Sequence, residues 1–393
     1  MRGNPSGRSR LAIGAIGGDD HPNVGSVGNI GNIGNEEMRI VVAMSGGVDS
    51  SVAAALLARE GHEVIGLSMQ LYDHSGSHAD GEVRFGSCCT IDDLHDARRV
   101  ASQLGIPHYI VNFERQFADT VVSNFVREYA AGRTPIPCVH CNGDLKFATL
   151  AARAEGLGAQ QVATGHYARV AQDEGGRSVL LRGLDAAKDQ SYFLFTLTQA
   201  QLAHALFPVG ALDKAAVRSL AGELGLFVSN KPDSHEICFV ADGNHTGFLE
   251  QHGVAKTTGA IRDVAGRVVG SHDGVHRYTV GQRKGLGLSS PVRLYIVGID
   301  AEHGAVTVGP REALERTELT ASGVNWIAGV PPVAGTRATA QIRYRHREAA
   351  VSITSRPDGR VHATFDEPQY AVAPGQAVVF YDGDVVLGGG WIE

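Results

Sequence analysis

A nine-residue stretch, Ala43–Ser51, combines residue types that together can bind phosphate. It reads Ala-Met-Ser-Gly-Gly-Val-Asp-Ser-Ser, directly follows an apolar run and opens an alanine- and leucine-rich segment with helical spacing. A strand, a Gly-Gly turn and a helix N-terminus place backbone N–H groups around an anion, and the helix dipole favours negative charge there. The loop lacks the Gly-Lys-Ser/Thr ending of a Walker A motif. The alternative is a plain Gly-Gly turn capped by Asp49 and Ser50.

Three of the five cysteines form a second group with reactive chemistry. Cys138 and Cys141 form a Cys-x-x-Cys pair in a proline-stiffened loop before a predicted helix, and Cys238 stands alone later in the chain. A helix N-terminus stabilises the thiolate, which is the reactive form of cysteine. The alternatives are half of a zinc site for the pair and a small buried hydrophobe for Cys238. The adjacent Cys88 and Cys89 are predicted to be structural.

The composition indicates a multi-domain protein of the reducing cytoplasm. With 393 residues the chain is longer than one hydrophobic core usually serves, so two or three domains are expected. An odd number of cysteines, no secretory signal and no bilayer-length apolar stretch favour the cytoplasm. The net charge of −7 argues against a general nucleic-acid binder but permits a local basic surface. Residues 1–37, rich in glycine and asparagine, are predicted to be a disordered tail or to precede a true start at Met38.

From Met38 onward, strand and helix patterns alternate. Apolar runs predict strands over 40–44, 63–69, 108–113 and 161–164, and helical spacing predicts helices over 50–60, 92–104, 117–129 and 145–155. This order predicts an α/β fold with a doubly wound parallel sheet, whose ligands bind at the carboxyl ends of the strands. Ser45, Met69 and Gly165 lie at or near such ends.

After about residue 243 the pattern changes to short runs rich in valine, tyrosine and glycine. Strands are predicted over 278–281, 294–299, 305–308, 338–344, 349–353, 361–365, 377–381 and 385–391. Closely spaced short strands favour a small β-barrel at the C-terminal end. The predicted division is a tail at 1–37, an α/β domain at 38–243, a small central domain at 244–312 and the β-barrel at 313–393.

Several motifs carry a resemblance to known families. Ser-Gly-Gly-x-Asp-Ser at 45–50 resembles the loop of the ATP pyrophosphatases, which activate a substrate oxygen as an adenylate and release pyrophosphate. Further motifs are Gly-Leu-Ser-Met-Gln-Leu at 66–71, Pro-Cys-Val-His-Cys-Asn at 137–142, Ala-Thr-Gly-His-Tyr-Ala-Arg at 163–169, Lys-Asp-Gln-Ser-Tyr-Phe-Leu-Phe at 188–195, Ile-Cys-Phe-Val at 237–240, Tyr-Thr-Val-Gly-Gln-Arg-Lys-Gly-Leu-Gly at 278–287 and Leu-Gly-Gly-Gly-Trp-Ile at 387–392. With these motifs in this order, the chain from about Arg39 onward resembles the bacterial tRNA-specific 2-thiouridylase family. The resemblance implies a catalytic domain of the ATP pyrophosphatase (adenine nucleotide alpha hydrolase-like) type and a C-terminal barrel that contacts tRNA.

The resemblance implies a reaction at the wobble uridine of tRNA. Uridine O2 is adenylated with ATP, pyrophosphate leaves, and sulfur from a cysteine persulfide then displaces AMP. Cys141 matches the nucleophile and Cys238 the cysteine that carries the persulfide, and the two form a transient disulfide. Asp49 is expected to order the loop or bind Mg²⁺, which neutralises phosphate charge. The expected partners are the anticodon loop of tRNA and a persulfide-donating sulfur carrier protein.

The resemblance also implies individual binding residues. The positions that match ATP-binding residues are Ala43, Met44, Ser45, Gly46, Gly47, Val48, Asp49, Ser50, Met69 and Gly165. The positions that match tRNA-contacting residues are Ile136, Pro137, Cys138, His166, Lys188, Asp189, Gln190, Tyr344, Arg345 and Gln376. Many relatives have asparagine where this chain has Ile136, and isoleucine cannot make that side-chain hydrogen bond to the target base. A basic cluster, Arg343, Arg345, His346 and Arg347, is expected to bind phosphate, with a solvated strand edge as the alternative.

Two questions stay open at the level of sequence. Cys138, Cys141 and Cys238 could together hold a [4Fe–4S] cluster with one open iron, whereas the favoured persulfide route needs only Cys141 and Cys238. Two other functions are also possible. Another adenylating synthetase with the same loop would need neither paired cysteines nor a barrel, and a non-enzymatic tRNA-binding module would tolerate loss of Cys141 and Asp49.

Overall fold

This computed structural model describes residues 36–71, 91–233, 237–240 and 243–393. The first 35 residues of the predicted tail, together with Cys88 and Cys89, lie outside the described residues. Of the helices that are described, none is long and apolar enough to cross a membrane.

The helices and strands of the described residues are numbered in chain order. The helices are α1 Val48–Arg59, α2 Ile91–Leu104, α3 Glu114–Phe117, α4 Ser123–Ala130, α5 Pro137–His140, α6 Ala148–Gly156, α7 Gln199–Ala203, α8 Lys214–Glu223 and α9 His245–Gln251. Two π-helical stretches, Ala118–Val122 and Cys141–Phe147, join α3 to α4 and α5 to α6. The strands are β1 Arg39–Ala43, β2 Glu63–Gln70, β3 His108–Asn112, β4 Gln161–Thr164, β5 Ala168–Gln172, β6 Ser178–Arg182, β7 Ala205–Leu206, β8 Gly259–Asp263, β9 Val268–His272, β10 Tyr295–Asp300, β11 Ala305–Gly309, β12 Glu315–Trp326, β13 Thr336–Gln341, β14 Ala349–Ser355, β15 Val361–Tyr370, β16 Ala377–Asp382 and β17 Val385–Ile392.

A parallel sheet with the order β3-β2-β1-β4-β7 forms the first part of the molecule. Helices cover both of its faces: Ile40 and Val42 pack in one cluster with α1, α2 and α8, while Val41 packs in another with α6. Both faces are therefore buried, which explains the continuous apolar run of β1. The predicted α/β fold is confirmed, and the loops after β1 and β4 meet where the strand order reverses.

Six strands close into a barrel with the order β12-β15-β14-β13-β16-β17, because β12 also pairs with β17. The predicted C-terminal barrel is confirmed. A hairpin of β5 and β6, which was not predicted, extends from the α/β region and pairs with β17 at Leu181 and Val385. The barrel sheet therefore includes strands from the α/β region as well as from the C-terminal part of the chain.

The α/β region and the barrel share one hydrophobic core. Phe147, Tyr192 and Phe195 pack in the same cluster as Ala377 and Tyr381. The buried Tyr192 hydroxyl also donates to the Ala377 carbonyl at 2.8 Å. Because protein cores are close-packed, this shared cluster fixes how the barrel lies against the α/β region.

A separate four-stranded sheet with the order β10-β11-β8-β9 forms the central part, around Ile261, Ile296 and Val306. Two sequence expectations fail here. Residues 278–281 form no strand: a turn begins at residue 280, and Gly281 has a φ of +90°, which a strand does not accommodate. Helix α9 lies after residue 243, where the helical pattern was expected to end.

The predicted strand at 338–344 ends early. β13 stops at Gln341, and Arg345 has a φ of +60°, a left-handed conformation that a strand does not accommodate. The basic cluster Arg343–Arg347 therefore lies in a turn, not along a strand edge.

The shared core gives a test of the barrel contact. We expect Tyr192→Phe to lower the free energy of unfolding by about 1–3 kcal/mol, because the buried Ala377 carbonyl loses its donor. Urea denaturation followed by fluorescence measures the change. Tyr109→Phe is the matched control, since Tyr109 is 51% exposed and should change stability by less than about 0.5 kcal/mol. Equal effects of the two substitutions on stability would show that the hydrogen bond from Tyr192 to Ala377 does not stabilise the barrel contact.

Candidate active site

A cavity of about 290 Å³ lies at the carboxyl ends of β1, β2 and β4. Of the positions predicted to bind ATP, the residues that line it are Ala43, Met44, Ser45, Gly47, Val48, Asp49, Ser50, Met69 and Gly165. Of the positions predicted to contact tRNA, the residues that line it are His166, Lys188, Gln190, Tyr344 and Arg345. The cavity therefore joins residues of the α/β region to a turn of the barrel.

The loop after β1 is packed so tightly that glycine is required at one position in the loop and at one position beside it. Gly46 has a φ of +74°, and a Cβ there would lie 2.1 Å from the Asp93 carbonyl oxygen. A Cβ on Gly165, after β4, would lie 2.5 Å from the backbone nitrogen of Ser50. The loop thus sits between two backbone segments, which explains why Gly46 shapes the cavity without lining it.

Side chains of the loop hold its own backbone in a turn. Ser50 Oγ accepts from the Ser45 N–H at 3.2 Å, and Ser51 Oγ donates to the Gly47 carbonyl at 2.8 Å. Gly47 is the N-cap of α1, where the first N–H groups have no carbonyl partner in the helix. This arrangement favours an anion at the end of α1.

Asp49 is held by two residues from later segments. Lys214 Nζ donates to its two carboxylate oxygens at 2.7 and 2.9 Å, and the Tyr167 hydroxyl donates to Oδ1 at 2.8 Å. Burial, with the Asp49 charge added, raises the pKa of the Tyr167 hydroxyl, so it stays protonated and can donate. Asp49 is therefore fixed at the floor of the cavity.

Asp233 is the second carboxylate of this network and contacts three cations. It lies 2.6 Å from Lys188, 2.8 Å from Lys214 and 3.0 Å from Arg218. Burial acts to raise the pKa of Asp233, but hydrogen bonds from Lys188 and Lys214 outweigh it and lower that pKa to about 2. Asp49 and Asp233 share only Lys214, so the network joins these two carboxylates to three cations beside the cavity.

Lys231 connects the loop to α2. Its Nζ donates to the Gly46 carbonyl at 3.0 Å, to Asp93 at 2.6 Å and to Asp96 at 2.7 Å. Burial acts to lower the pKa of Lys231, but the hydrogen bonds with the two carboxylates outweigh it and raise that pKa. The ammonium is therefore charged and bonds the carbonyl of Gly46, which has a positive φ.

His166 lines the cavity as a neutral imidazole. Burial, together with the positive charge of Lys146, lowers its pKa to about 3. Its Nδ1 lies 2.7 Å from Thr164 Oγ1, which fixes the ring. At neutral pH the ring offers one donor and one acceptor but no charge.

Five positions predicted to contact tRNA lie outside the cavity lining: Ile136, Pro137, Cys138, Asp189 and Gln376. The carboxylate of Asp189 accepts from the Gly183 N–H at 2.9 Å and from the Ser191 N–H at 3.0 Å, so it orders a turn. Gln376 Nε2 donates to the Thr134 carbonyl at 2.9 Å and so ties the barrel to the segment that precedes the cysteines. As predicted tRNA contacts, all five remain untested.

Cys138 and Cys141 lie on a helix, where a loop was predicted. Pro137 is its first residue, and α5, the π-helical stretch and α6 follow one another from 137 to 156. Cys138, in the first turn, is exposed, whereas Cys141 is 7% exposed. Cys141 belongs to a hydrophobic cluster against which the partly buried Cys238 packs. The structure thus brings Cys141 and Cys238 to one cluster, although they are far apart in sequence.

That hydrophobic cluster also connects the cysteines to the cavity. Met69 belongs to the cluster and lines the cavity. Of Ile136, Pro137 and Cys138, the first two are buried at the start of the helix. The cysteine helix therefore packs beside the cavity wall.

The donor set does not fit a metal cluster. Across residues 36–71, 91–233, 237–240 and 243–393, no group of three or more His, Cys, Asp or Glu side chains is arranged to hold a metal ion. Cys138, Cys141 and Cys238 are all among these residues, so this arrangement does not assemble the ligands of the alternative iron–sulfur site.

Sequence reasoning missed Tyr167, Lys214 and Lys231 as site residues. Lys214 and Lys231 stand alone in the sequence and belong to no spaced motif, and only long-range folding brings them to the loop. The one available signal was Tyr167, which belongs to the motif at 163–169.

Family models match consecutive parts of the chain. The tRNA methyl transferase HUP domain matches residues 38–242, and the tRNA methyl transferase PRC-barrel domain matches residues 246–310. The aminomethyltransferase beta-barrel domain matches residues 316–392.

Curated relatives match over most of their length. The tRNA-specific 2-thiouridylase MnmA of Geotalea uraniireducens (strain Rf4) is 56% identical over 356 residues, which are 90% of this chain and 95% of that protein. The protein of the same name from Geobacter metallireducens is 54% identical over 90% of this chain and 96% of its own. That from Solibacter usitatus is 52% identical over 91% of this chain and 100% of its own.

The carboxylate shared by three cations predicts a pH-dependent stability. Because the folded pKa of Asp233 is about 2, against 3.8 in the unfolded chain, its ionised form stabilises the fold above pH 4. That contribution, about 1–2 kcal/mol, is lost as the pH falls toward 2. We therefore expect Asp233→Asn to destabilise the protein at pH 6 and to have little effect near pH 2.

Urea unfolding at a series of pH values measures this difference between wild type and variant. The exposed Glu155, replaced by Gln, is the control and should change stability by less than about 0.5 kcal/mol at every pH. A difference in unfolding free energy between wild type and Asp233→Asn that stays constant from pH 6 to 2 would contradict this prediction. It would show that the contribution of Asp233 to stability does not depend on its ionisation.

Proposed function

Because this chain belongs to the tRNA-specific 2-thiouridylase family, we propose that it uses ATP to replace the C2 oxygen of the wobble uridine in tRNA with sulfur. One observation carries this proposal: a single cavity joins the loop at 45–50 to Lys188, Tyr344 and Arg345. Adenylation needs the nucleotide phosphates and the RNA base side by side, and this cavity is lined by residues predicted to bind each of them, which supports the proposal.

The first step of the proposed reaction is adenylation of the uridine. The loop at 45–50 and the N-terminus of α1 bind the β- and γ-phosphates of ATP. Uridine O2 attacks the α-phosphorus, the bond to the bridging oxygen breaks, and pyrophosphate leaves. We assign Lys188, which lines the cavity and contacts Asp233, to stabilise the negative charge that moves onto pyrophosphate, because fixed charges of this kind stabilise such a transition state.

Mg²⁺ is part of the proposal as the counter-charge of the departing pyrophosphate. Asp49 lines the cavity and offers the carboxylate oxygens that Mg²⁺ prefers. Its hydrogen bonds to Lys214 and Tyr167 keep that carboxylate beside the loop. We therefore assign Asp49 as the residue that would hold the ion.

The second step is sulfur transfer, for which we assign Cys141 and Cys238. Cys238 carries a persulfide received from a sulfur carrier protein. The Cys141 thiolate attacks the inner sulfur, a Cys141–Cys238 disulfide forms, and hydrosulfide leaves. Hydrosulfide adds to C2 of the adenylated uridine, and AMP departs with the former O2. A thiol reductant then supplies two electrons to the disulfide before the next turnover.

The tRNA is proposed to enter with its anticodon loop at the cavity. The target base must leave its stack to reach the phosphates, which costs least in a single-stranded loop. Lys188 and Arg345 supply positive charge, Gln190 and neutral His166 supply hydrogen-bonding groups, and Tyr344 offers an aromatic face.

The cysteine assignment predicts a separation of the two steps. We expect Cys141→Ser and Cys238→Ser each to lower 2-thiouridine formation by about 100-fold or more, because each removes a sulfur that the transfer needs. Pyrophosphate release upon mixing with ATP and unmodified tRNA should persist, because adenylation uses no thiol. Nucleoside analysis and a pyrophosphate assay on the same reaction measure the two steps.

Cys138→Ser is the matched control for this experiment. It should retain both steps, since the persulfide route does not use the Cys138 thiol and serine keeps the size of a side chain predicted to contact tRNA. Loss of thiolation in Cys138→Ser, together with iron bound to the anaerobically purified wild type, would contradict the persulfide route.

The glycine packing predicts the effect of a methyl group on ATP binding. We expect Gly46→Ala to raise the Kd for ATP by about tenfold or more, because its Cβ must displace the Asp93 carbonyl, and tenfold corresponds to only ~1.4 kcal/mol. Gly61→Ala is the control: Gly61 also has a positive φ, +87°, but no atom within 4 Å of its Cβ position. Titration calorimetry should show wild-type affinity for Gly61→Ala. Equal losses would mean that backbone strain, not the contact at the loop, sets the affinity.

A further inference from the structure

The longest stretch of unbalanced positive charge in the described central part is residues 274–299. It contains four Lys or Arg residues and no Asp or Glu, in a chain whose net charge is −7. Arg277 is paired with Glu250 at 2.6 Å. The side chains of Arg283, Lys284 and Arg293 are exposed, and none forms an ion pair with the part of the chain that the structure describes. The positive charge of these three residues is therefore available to an external anion.

The segment that carries these residues, 282–294, is called the basic loop below. It borders a groove of about 700 Å³, and Leu286 anchors it by packing, 7% exposed, in the core of the central sheet. Gln282 Nε2 donates to the Lys284 carbonyl at 2.9 Å and so orders the start of the loop. Gly285 and Gly287 have φ values of +75° and +66°, a left-handed backbone that favours glycine. The basic loop thus offers charge on an ordered backbone.

Contacts at the base of the basic loop place it next to the proposed tRNA-binding side. A Cβ on Gly281 would lie 2.6 Å from the Cβ of Ala371, which precedes the turn that contains Gln376. In that turn the Pro374 carbonyl accepts from the Thr134 N–H at 2.8 Å, and Thr134 leads into Ile136–Cys138. The central sheet, the barrel and the cysteine helix therefore meet at this point, and the basic loop begins there.

We propose that the basic loop binds backbone phosphates of the tRNA, as a second contact beyond the nucleotide held in the cavity. An RNA strand suits this surface because phosphodiester groups repeat along it, so that Arg283, Lys284 and Arg293 can each meet one. This inference rests on the proposed function. It adds a tRNA contact from the central part, where no tRNA-contacting residue was predicted.

The test is tRNA binding as a function of salt concentration. The triple variant Arg283→Gln, Lys284→Gln, Arg293→Gln should raise the Kd for unmodified tRNA by roughly 10–100-fold near 0.15 M salt, and reduce the slope of log Kd against log salt by about 2–3. The Kd for ATP should stay unchanged, because none of the three residues lines the cavity. Thiolation at saturating tRNA should also continue at the wild-type rate.

Two controls separate this contact from a general effect of charge or folding. The variant Arg59→Gln, Arg153→Gln, Arg356→Gln removes the same charge from other exposed positions and should leave the Kd and the salt slope near wild type. The charge-conserving variant Arg283→Lys, Lys284→Arg, Arg293→Lys should retain most of the affinity.

The outcomes also distinguish this inference from the proposed function. A wild-type protein that thiolates tRNA, with a triple variant that keeps the wild-type Kd and salt slope, would overturn the basic loop alone. Equal losses in the two charge-removing variants would overturn it as well. A wild-type protein that neither binds nor thiolates tRNA would overturn the proposed function itself.

Discussion

The close backbone approach around the loop at 45–50 is the constraint on which the rest of the site depends. Gly46 meets the Asp93 carbonyl on one side, and Gly165 meets the backbone of Ser50 on the other. Neither contact leaves room for a side chain, so β1, β4 and α2 can come together only with glycine at both positions. Lys231 then bonds the Gly46 carbonyl and two carboxylates on α2, which holds the loop against that helix.

From that loop, electrostatics extends the site to segments far away in the sequence. Asp49 on α1 binds Lys214 on α8, and Lys214 also binds Asp233, which in turn binds Lys188. The shared core of the α/β region and the barrel adds Tyr344 and Arg345 to the same cavity. The proposed nucleotide site and the proposed surface for RNA thus depend on two different interactions: ion pairs join the helices, and hydrophobic packing positions the barrel.

Much of this organisation could be predicted because it depends on local sequence patterns. The strands β1 to β4 alternate with helices of clear periodicity, and the Gly-Gly turn, Asp49 and the cysteines stand out by spacing. The closed barrel follows from short strands joined by tight turns.

What could not be predicted depends on contacts between distant segments. Lys214 and Lys231 have no local signature, and the β5–β6 hairpin becomes part of the barrel sheet only through its pairing with β17. The prediction of a loop around Cys138 and Cys141 was wrong because Pro137 is well suited to the first turn of a helix, where its missing N–H costs nothing.

The most direct test of the proposed reaction is a single-turnover experiment on purified wild-type protein with unmodified tRNA, ATP and a persulfide donor. Nucleoside analysis would quantify 2-thiouridine, and a coupled assay would quantify pyrophosphate and AMP in the same sample. The proposed reaction predicts 2-thiouridine only when ATP is present, with one pyrophosphate and one AMP for each sulfur incorporated. Sulfur incorporation without ATP, or pyrophosphate release that depends on a small acid and not on tRNA, would contradict it.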